Sequence, residues 1–321
     1  MEQRRIGQLE ASVVGLGCNQ FGTPLCDEAG AIEIVDAAID AGVTFFDTAD
    51  GYGGDYTDPD RTEGWGRSEE ALGKALHGRR DDVVIATKFG SVHRGHDGTG
   101  GGSARWIRRA VEDSLRRLGT DHIDLYQLHF PDPDVPIAET LGALRELQAA
   151  GVVREIGCSN FDAVMLEEAA ATDPPGFASV QNSLNVMQRA MVTDVLPTCE
   201  RLGVAFIPYS PLGGGMLTGK YRRDGRPTSG TRLTEQLDAG RQDKLFSERN
   251  FARIDALDAW ATERGHTLLE LAFAWLLALP MVTSVIAGAS RVDQVAPNAA
   301  AGDWHLSADE ADEVTALVAD L

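Results

Sequence analysis

Eight short apolar or β-branched runs recur along the chain, and stretches of helical periodicity separate them. They cover 13–17, 43–49, 83–88, 123–129, 153–160, 179–184, 204–210 and 282–288. Parallel neighbours in a sheet need a crossover of helical length, so strict strand–helix alternation predicts a parallel sheet. The runs are apolar without alternation, which suits strands buried on both faces. Eight such units in 321 residues predict an α/β fold, a closed (β/α)8 TIM barrel spanning 1–321 as a single domain. The competing architecture, an open doubly wound sheet, carries G-x-G-x-x-G in its first strand–helix turn. Here that turn reads "GLGCNQFG", and its third glycine comes two places late.

The helical stretches carry end signals. "DEAGAIEIVDAAIDAG" has an acidic first turn and stops at Gly42. A Ser103 N-cap opens the helix that stops at Gly119, and Pro136 opens the one that ends at Gly151. The interval between the seventh and eighth strands is the longest and begins "GGGMLTGKYRRDGRPTSGTRL". Loops of that length in a compact domain are generally functional or disordered.

A net charge of −20 leaves no basic footprint for nucleic acid or an anionic membrane surface. The N-terminal "MEQRRIGQLE" has no signal-peptide core, and Glu270 and Pro280 break the most apolar run near the C-terminus. Cys18, Cys26, Cys158 and Cys199 show neither close pairing nor metal-finger spacing and read as reduced thiols. The expectation is a cytoplasmic protein without nucleic-acid or membrane partners.

In such a barrel the chemistry lies at the C-terminal ends of the strands. Read there, the chain presents Asp47 and then Tyr52, Lys88, His129, Ser159 with Asn160, Gln181, and Tyr209. A tyrosine is a reluctant acid at neutral pH, with a pKa of about 10. A neighbouring ammonium stabilises its phenolate, and a carboxylate keeps that ammonium charged and in place. The result is a general acid tuned toward the working pH, beside a histidine able to orient a carbonyl oxygen. Lysine suits this role because its compact ammonium can approach a single phenol oxygen. The chain holds only four lysines against 25 arginines, which gives Lys88 weight.

Other chemistries fit less well. Asp47 and Asp50 on a strand-to-loop turn should point apart, with no histidine cluster to complete a metal site. His93 and His96 have workable metal spacing, but in a Gly-rich polar segment. A retaining glycosidase needs two carboxylates on facing strand ends, where only Asp47 is well placed. Tyr56 is a rival tyrosine, in a polar Gly/Asp setting. No metal is expected.

These residues, with "FFDTADGYG", "VVIATKFG", "DLYQLH", "VREIGCSNF", "VQNSLN", "FIPYSPLGGGMLTGKY" and "VIAGASRVDQVAPN", resemble the aldo-keto reductases across essentially the whole chain. The subgroup it resembles includes potassium-channel β subunits. The resemblance implies a nicotinamide cofactor bound without a Rossmann fold, and a small-molecule carbonyl substrate. It implies Asp47, Tyr52, Lys88 and His129 as the catalytic set, with Tyr52 the acid. It places Ser159, Asn160 and Gln181 on the nicotinamide carboxamide and Tyr209 against the ring. It assigns the pyrophosphate to Ser210, Pro211, Leu212 and Gly214 with Lys220, and a further basic contact to Arg232, in a loop that clamps the cofactor. It assigns the adenosine end to Gly288, Ser290, Arg291, Gln294 and Asn298. Arg291 and Ser290 favour NADPH, with NADH the alternative, while Asp293 works against a phosphate.

Leu184 stands where the family often has tyrosine, and Pro297 where it often has an acidic residue near the adenine. Competing readings are oxidation of a sugar or polyol with NAD(P) and a regulatory nicotinamide-binding subunit. Pocket walls are expected from Phe21, the 53–66 insertion with Trp65, Phe130 and residues 212–245.

Overall fold

The computed structural model describes residues 1–54, 64–91, 101–221, 223, 225, 233–234 and 239–319. The chain opens with a hairpin that the sequence reading did not anticipate, β1 (Gln3–Ile6) with β2 (Leu9–Ser12). All eight expected strands then form: β3 (Val14–Gly17), β4 (Phe45–Asp47), β5 (Val84–Phe89), β6 (Ile123–Leu128), β7 (Val153–Ser159), β8 (Ser179–Ser183), β9 (Ala205–Tyr209) and β10 (Val285–Gly288). These eight pair in parallel in the order β10-β3-β4-β5-β6-β7-β8-β9. The two outer strands meet through one parallel bridge, Phe206 to Val282. Phe206 N–H donates to the Met281 carbonyl there at 2.7 Å, so the (β/α)8 barrel is nearly closed.

Alternation along each strand sorts the side chains into two cores. Phe46, Ile85, Phe89 and Tyr126 point outward and pack against the helices. Phe45, Ala86, Leu125, Ile207 and Ile286 point inward and form a second cluster, joined by Ile6, Leu9 and Ala11 of the hairpin. The hairpin therefore plugs the N-terminal end of the barrel.

The helix-end signals correspond to real caps. Asp27 accepts from Gly30 N–H at the start of α1 (Glu28–Asp40). Next along the chain comes α2 (Arg67–Ala75). Ser103 accepts from Trp106 N–H at the start of α3 (Ala104–Leu118), and Gly119 ends that helix in the left-handed conformation, φ 65°. Among the described residues no helix is long and apolar enough to cross a membrane. Nor does any group of three or more His, Cys, Asp and Glu side chains among them stand together as a metal site.

Candidate active site

Parallel register decides which side chains meet. Asp47 ends β4 and pairs with Ala86, and Lys88, two residues further along β5, pairs with Gln127 on β6. Strand alternation points Asp47, Lys88 and Gln127 into the barrel, directly above the apolar inner cluster. All three are buried, Lys88 completely.

Beyond β4 the chain keeps following its neighbour. Thr48 N–H donates to the Ala86 carbonyl at 2.8 Å and Asp50 N–H to the Lys88 carbonyl at 3.0 Å. Tyr52 N–H then turns back to the Ala49 carbonyl at 3.2 Å. Gly53 follows at φ +93°, where a Cβ would stand 2.9 Å from Ser68 N, so a side chain there would push the turn off α2. This turn brings the phenol back over β5.

The Lys88 ammonium makes three contacts: Asp47 Oδ1 at 2.5 Å, the Thr48 carbonyl at 2.8 Å and the Tyr52 hydroxyl at 3.3 Å. Burial alone would lower the Lys88 pKa. The Asp47 carboxylate and then the Tyr52 oxygen outweigh it, and the net shift is upward. Lys88 is therefore a fixed positive charge. Asp47 spends its other oxygen on two amides, accepting from Gln181 Nε2 at 2.8 Å and Gln127 Nε2 at 3.3 Å. Both oxygens of this buried carboxylate thus have donors, as a charge out of water requires.

His129 follows β6 and meets the Tyr52 ring edge-on, with centroids 5.6 Å apart, while stacking on Phe130. Burial, then the Lys88 charge, push its pKa well below the usual histidine value. Its imidazole is neutral at physiological pH, with one N–H to donate. Its Nδ1 is buried without a partner among the described residues.

A polar shelf continues around the rim. Ser159 Oγ donates to the Gln181 carbonyl at 2.7 Å, Tyr209 OH to Asn160 Oδ1 at 2.8 Å, and Asn160 Nδ2 to the His129 carbonyl at 2.9 Å. Asn160 holds this position at φ 62°. Past β9 the backbone turns left-handed at Ser210 and again at Gly213, Gly214 and Gly215. Asn185 Nδ2 anchors the Ser210 carbonyl at 3.0 Å, and the Leu212 carbonyl accepts from Gly215 and Leu217 just past Pro211. A Cβ on Gly215 would stand 3.1 Å from Lys220 Nζ, so this ammonium folds back over the glycine turn.

At the end of β10, beyond Gly288, Ser290 N–H donates to Gln294 Oε1 at 2.9 Å. Arg291 is engaged bidentately by Asp293, at 2.9 and 2.6 Å, with both side chains exposed. Asn298 is buried in the short helix Val295–Ala300. Arg232, Tyr56, His93 and His96 lie outside the described residues. Phe21, expected as a pocket wall, is instead fully buried between strands and helices. Phe130 and Trp65 are partly exposed.

Two features escaped the sequence reading. Gln127 carries a legible signal: in "IDLYQLH" it shares inward parity with Leu125, and a polar residue there is out of place in an apolar strand. The other is a buried charged cluster behind the Tyr52 turn. Glu69 on α2 is fully buried, accepting from Thr87 Oγ1 and from Arg117 Nε of α3, each at 2.6 Å. Asp50 lies near enough to Glu69 and Arg117 to feel the charge of both.

A profile described as "Aldo/keto reductase family" matches residues 13–319. The aldo-keto reductase YhdN of Bacillus subtilis is 32% identical over 320 residues, covering 97% of this chain and 91% of that protein. A probable aldo-keto reductase 1 of Glycine max is 33% identical over 312 residues, covering 95% and 85%. Among solved structures, the glycerol dehydrogenase AKR11B4 of Gluconobacter oxydans superposes with a TM-score of 0.83 at 29% identity, over 99% of this chain and 95% of that one. The holo form of aldo-keto reductase AKR11C1 from Bacillus halodurans gives 0.78 at 31%, over 99% and 96%.

Proposed function

The chain belongs to the aldo/keto reductase family of NAD(P)H-dependent oxidoreductases, and we propose that it reduces an aldehyde or ketone to an alcohol with NADPH, Tyr52 being the general acid. The observation that carries this reading is the Lys88 ammonium held between Asp47 Oδ1 and the Tyr52 hydroxyl.

A nicotinamide cofactor held by this rim would supply hydride to a carbonyl carbon, and the carbonyl oxygen would then need a proton. Tyr52 donates it, and the Lys88 ammonium 3.3 Å away stabilises the phenolate left behind. Asp47 keeps Lys88 charged and stationary, and Gln127 and Gln181 fix Asp47 in turn. His129, neutral and beside Tyr52, offers its single N–H to orient the carbonyl oxygen.

The rim suits a nicotinamide dinucleotide. Ser159, Asn160 and Gln181 present polar atoms for a carboxamide, and Tyr209 offers an aromatic face. The left-handed glycine turn under Lys220 leaves backbone free of side chains where a pyrophosphate would need close approach. Gln181 already spends its amide nitrogen on Asp47, which leaves its oxygen for the cofactor. NADPH is proposed because Ser290 and Arg291 stand together beyond β10. The Arg291–Asp293 pair is exposed and solvent-screened, so a phosphate can take the guanidinium from it. Likeness to a glycerol dehydrogenase supports polyol oxidation, the reverse direction, as the second reading.

The test is loss of reduced-nicotinamide absorbance with 4-nitrobenzaldehyde as substrate. Tyr52→Phe should lower kcat by about 100- to 10,000-fold while cofactor affinity stays unchanged. Turnover by Tyr52→Phe at the wild-type rate refutes the assignment of the acid.

A further inference from the structure

Ser68 stands in the first turn of α2, behind the turn that carries Tyr52, and takes no part in the proton transfer. It is fully buried, as are Thr48 and Cys18 around it. Its hydroxyl donates to the Cys18 carbonyl at 2.7 Å and lies 2.8 Å from Thr48 Oγ1. A serine hydroxyl has one proton, and here the carbonyl takes it. The direction of the second bond follows: Thr48 O–H donates and Ser68 Oγ accepts. The backbone of Ser68 adds a third tie. Gly66, at the N-cap of α2, has no side chain to offer the first-turn N–H groups, and Ser68 N–H donates to the Tyr52 carbonyl at 3.4 Å.

Each of these partners is one step or less from the Asp47–Lys88–Tyr52 contact. Cys18 N–H donates to the Asp47 carbonyl at 2.8 Å, and the Thr48 carbonyl accepts from Lys88 Nζ at 2.8 Å. The third partner is the Tyr52 backbone itself. We propose that Ser68 is a positioning residue for this set: its hydroxyl and its N–H hold the end of β3, the Thr48 acceptor of Lys88 and the Tyr52 turn in one arrangement. The inference rests on the reading of Tyr52 as the acid.

The anchor is rigid on its far side. Next in sequence, Glu69 accepts from Thr87 Oγ1 of β5 and Arg117 Nε of α3, each at 2.6 Å. Thr87 immediately precedes Lys88, so α2 is tied to the strand that delivers the ammonium. The turn packs directly on this anchor: a Cβ on Gly53 would stand 2.7 Å from Arg67 Cβ and 2.9 Å from Ser68 N. Removing the Ser68 hydroxyl strands the Cys18 carbonyl and the Thr48 hydroxyl in a site closed to water. The part free to respond is the 48–52 stretch, since Glu69 holds α2 to β5. That stretch carries both the Thr48 carbonyl and the phenol, so the 3.3 Å Lys88–Tyr52 contact is what changes. The cofactor shelf of Ser159, Asn160 and Tyr209 is held by hydrogen bonds in which Ser68 takes no part.

The experiment measures kcat, KM and NADPH affinity for wild type, Ser68→Ala, Thr48→Val and Thr48→Ser, with 4-nitrobenzaldehyde as substrate. Ser68→Ala and Thr48→Val should each lower kcat about tenfold to a hundredfold, with NADPH affinity unchanged. The double variant should lose little more than Ser68→Ala alone, because both changes remove the Thr48–Ser68 bond. Thr48→Ser keeps the hydroxyl and should retain the activity that Thr48→Val loses. A readout without turnover is the 13C resonance of the Tyr52 ring carbon bearing the hydroxyl, assigned with Tyr52→Phe. In Ser68→Ala it should titrate at higher pH than in wild type, since the ammonium that favours the phenolate stands farther off. A wild-type kcat in Ser68→Ala overturns the proposal. So does a fall in kcat that leaves this titration unmoved and tracks a loss of folded protein by circular dichroism, as a merely structural hydroxyl would give. If Tyr52→Phe turns over at the wild-type rate while the titration still shifts in Ser68→Ala, the acid assignment fails and the anchoring stands.

Discussion

Replacing Asp50 by asparagine should stabilise the protein, by an amount that grows with pH. The folded state raises the Asp50 pKa from 3.8 to about 7. Between those values the folded chain keeps a proton that the unfolded chain has released. Folding stability contributed by this group is therefore complete below 3.8 and is lost as pH rises to about 7. At about 1.36 kcal/mol per pH unit the total cost above pH 7 is about 4 kcal/mol, since a 5% exposed side chain has little solvent screening. The asparagine side chain has no proton to lose, so the gap between variant and wild type should widen by about 2 kcal/mol from pH 5.5 to 7.5, then level off. Groups that titrate alike in both proteins cancel in the difference. Urea unfolding of both proteins by tryptophan fluorescence measures it, in a window clear of the isoelectric point near 4.7. Stability curves that run parallel between pH 5.5 and 7.5 would show that Asp50 is already ionised in the fold and refute the reasoning.

Two further outcomes follow from the pairing at the site. Lys88→Met leaves the Asp47 carboxylate buried with only two amide donors, and should cost about 3–5 kcal/mol of stability. Asp47→Asn in the same background should recover part of it, so a double-mutant cycle in urea with no coupling contradicts the pair. Asp293→Asn releases Arg291, and should raise affinity for NADPH severalfold while leaving NADH unchanged. Equal effects on both, measured by cofactor fluorescence, would place the 2′-phosphate elsewhere.

The barrel was legible because its strands are buried on both faces and their helices end in recognisable caps. The Tyr52–Lys88–Asp47 contact was legible for a related reason: strand ends in a barrel share one rim, so residue types at those ends meet whatever the loops do. The hairpin was not. Its two strands are four residues each and rich in charge, and only the tertiary need to seal the barrel makes Ile6, Leu9 and Ala11 inward-facing. Phe21 was misread because proximity in sequence to a strand end says nothing about which side of the strand layer a side chain takes. Asp50 shows the same limit. From the sequence it looks like Asp47's twin, yet the two occupy opposite sides of the β4 turn.

That opposition gives two carboxylates three residues apart different surroundings. Asp47 faces an ammonium and two amide donors, so ionisation is matched on every side. Asp50 faces a carboxylate whose cation is already taken. The same strand alternation that stacks Phe45 under Asp47 sends the next polar residues outward, toward α2 and α3, where Thr48 meets Ser68 and Glu69 holds Arg117. Burial there, then the charge of Glu69, push the Asp50 pKa up to about 7.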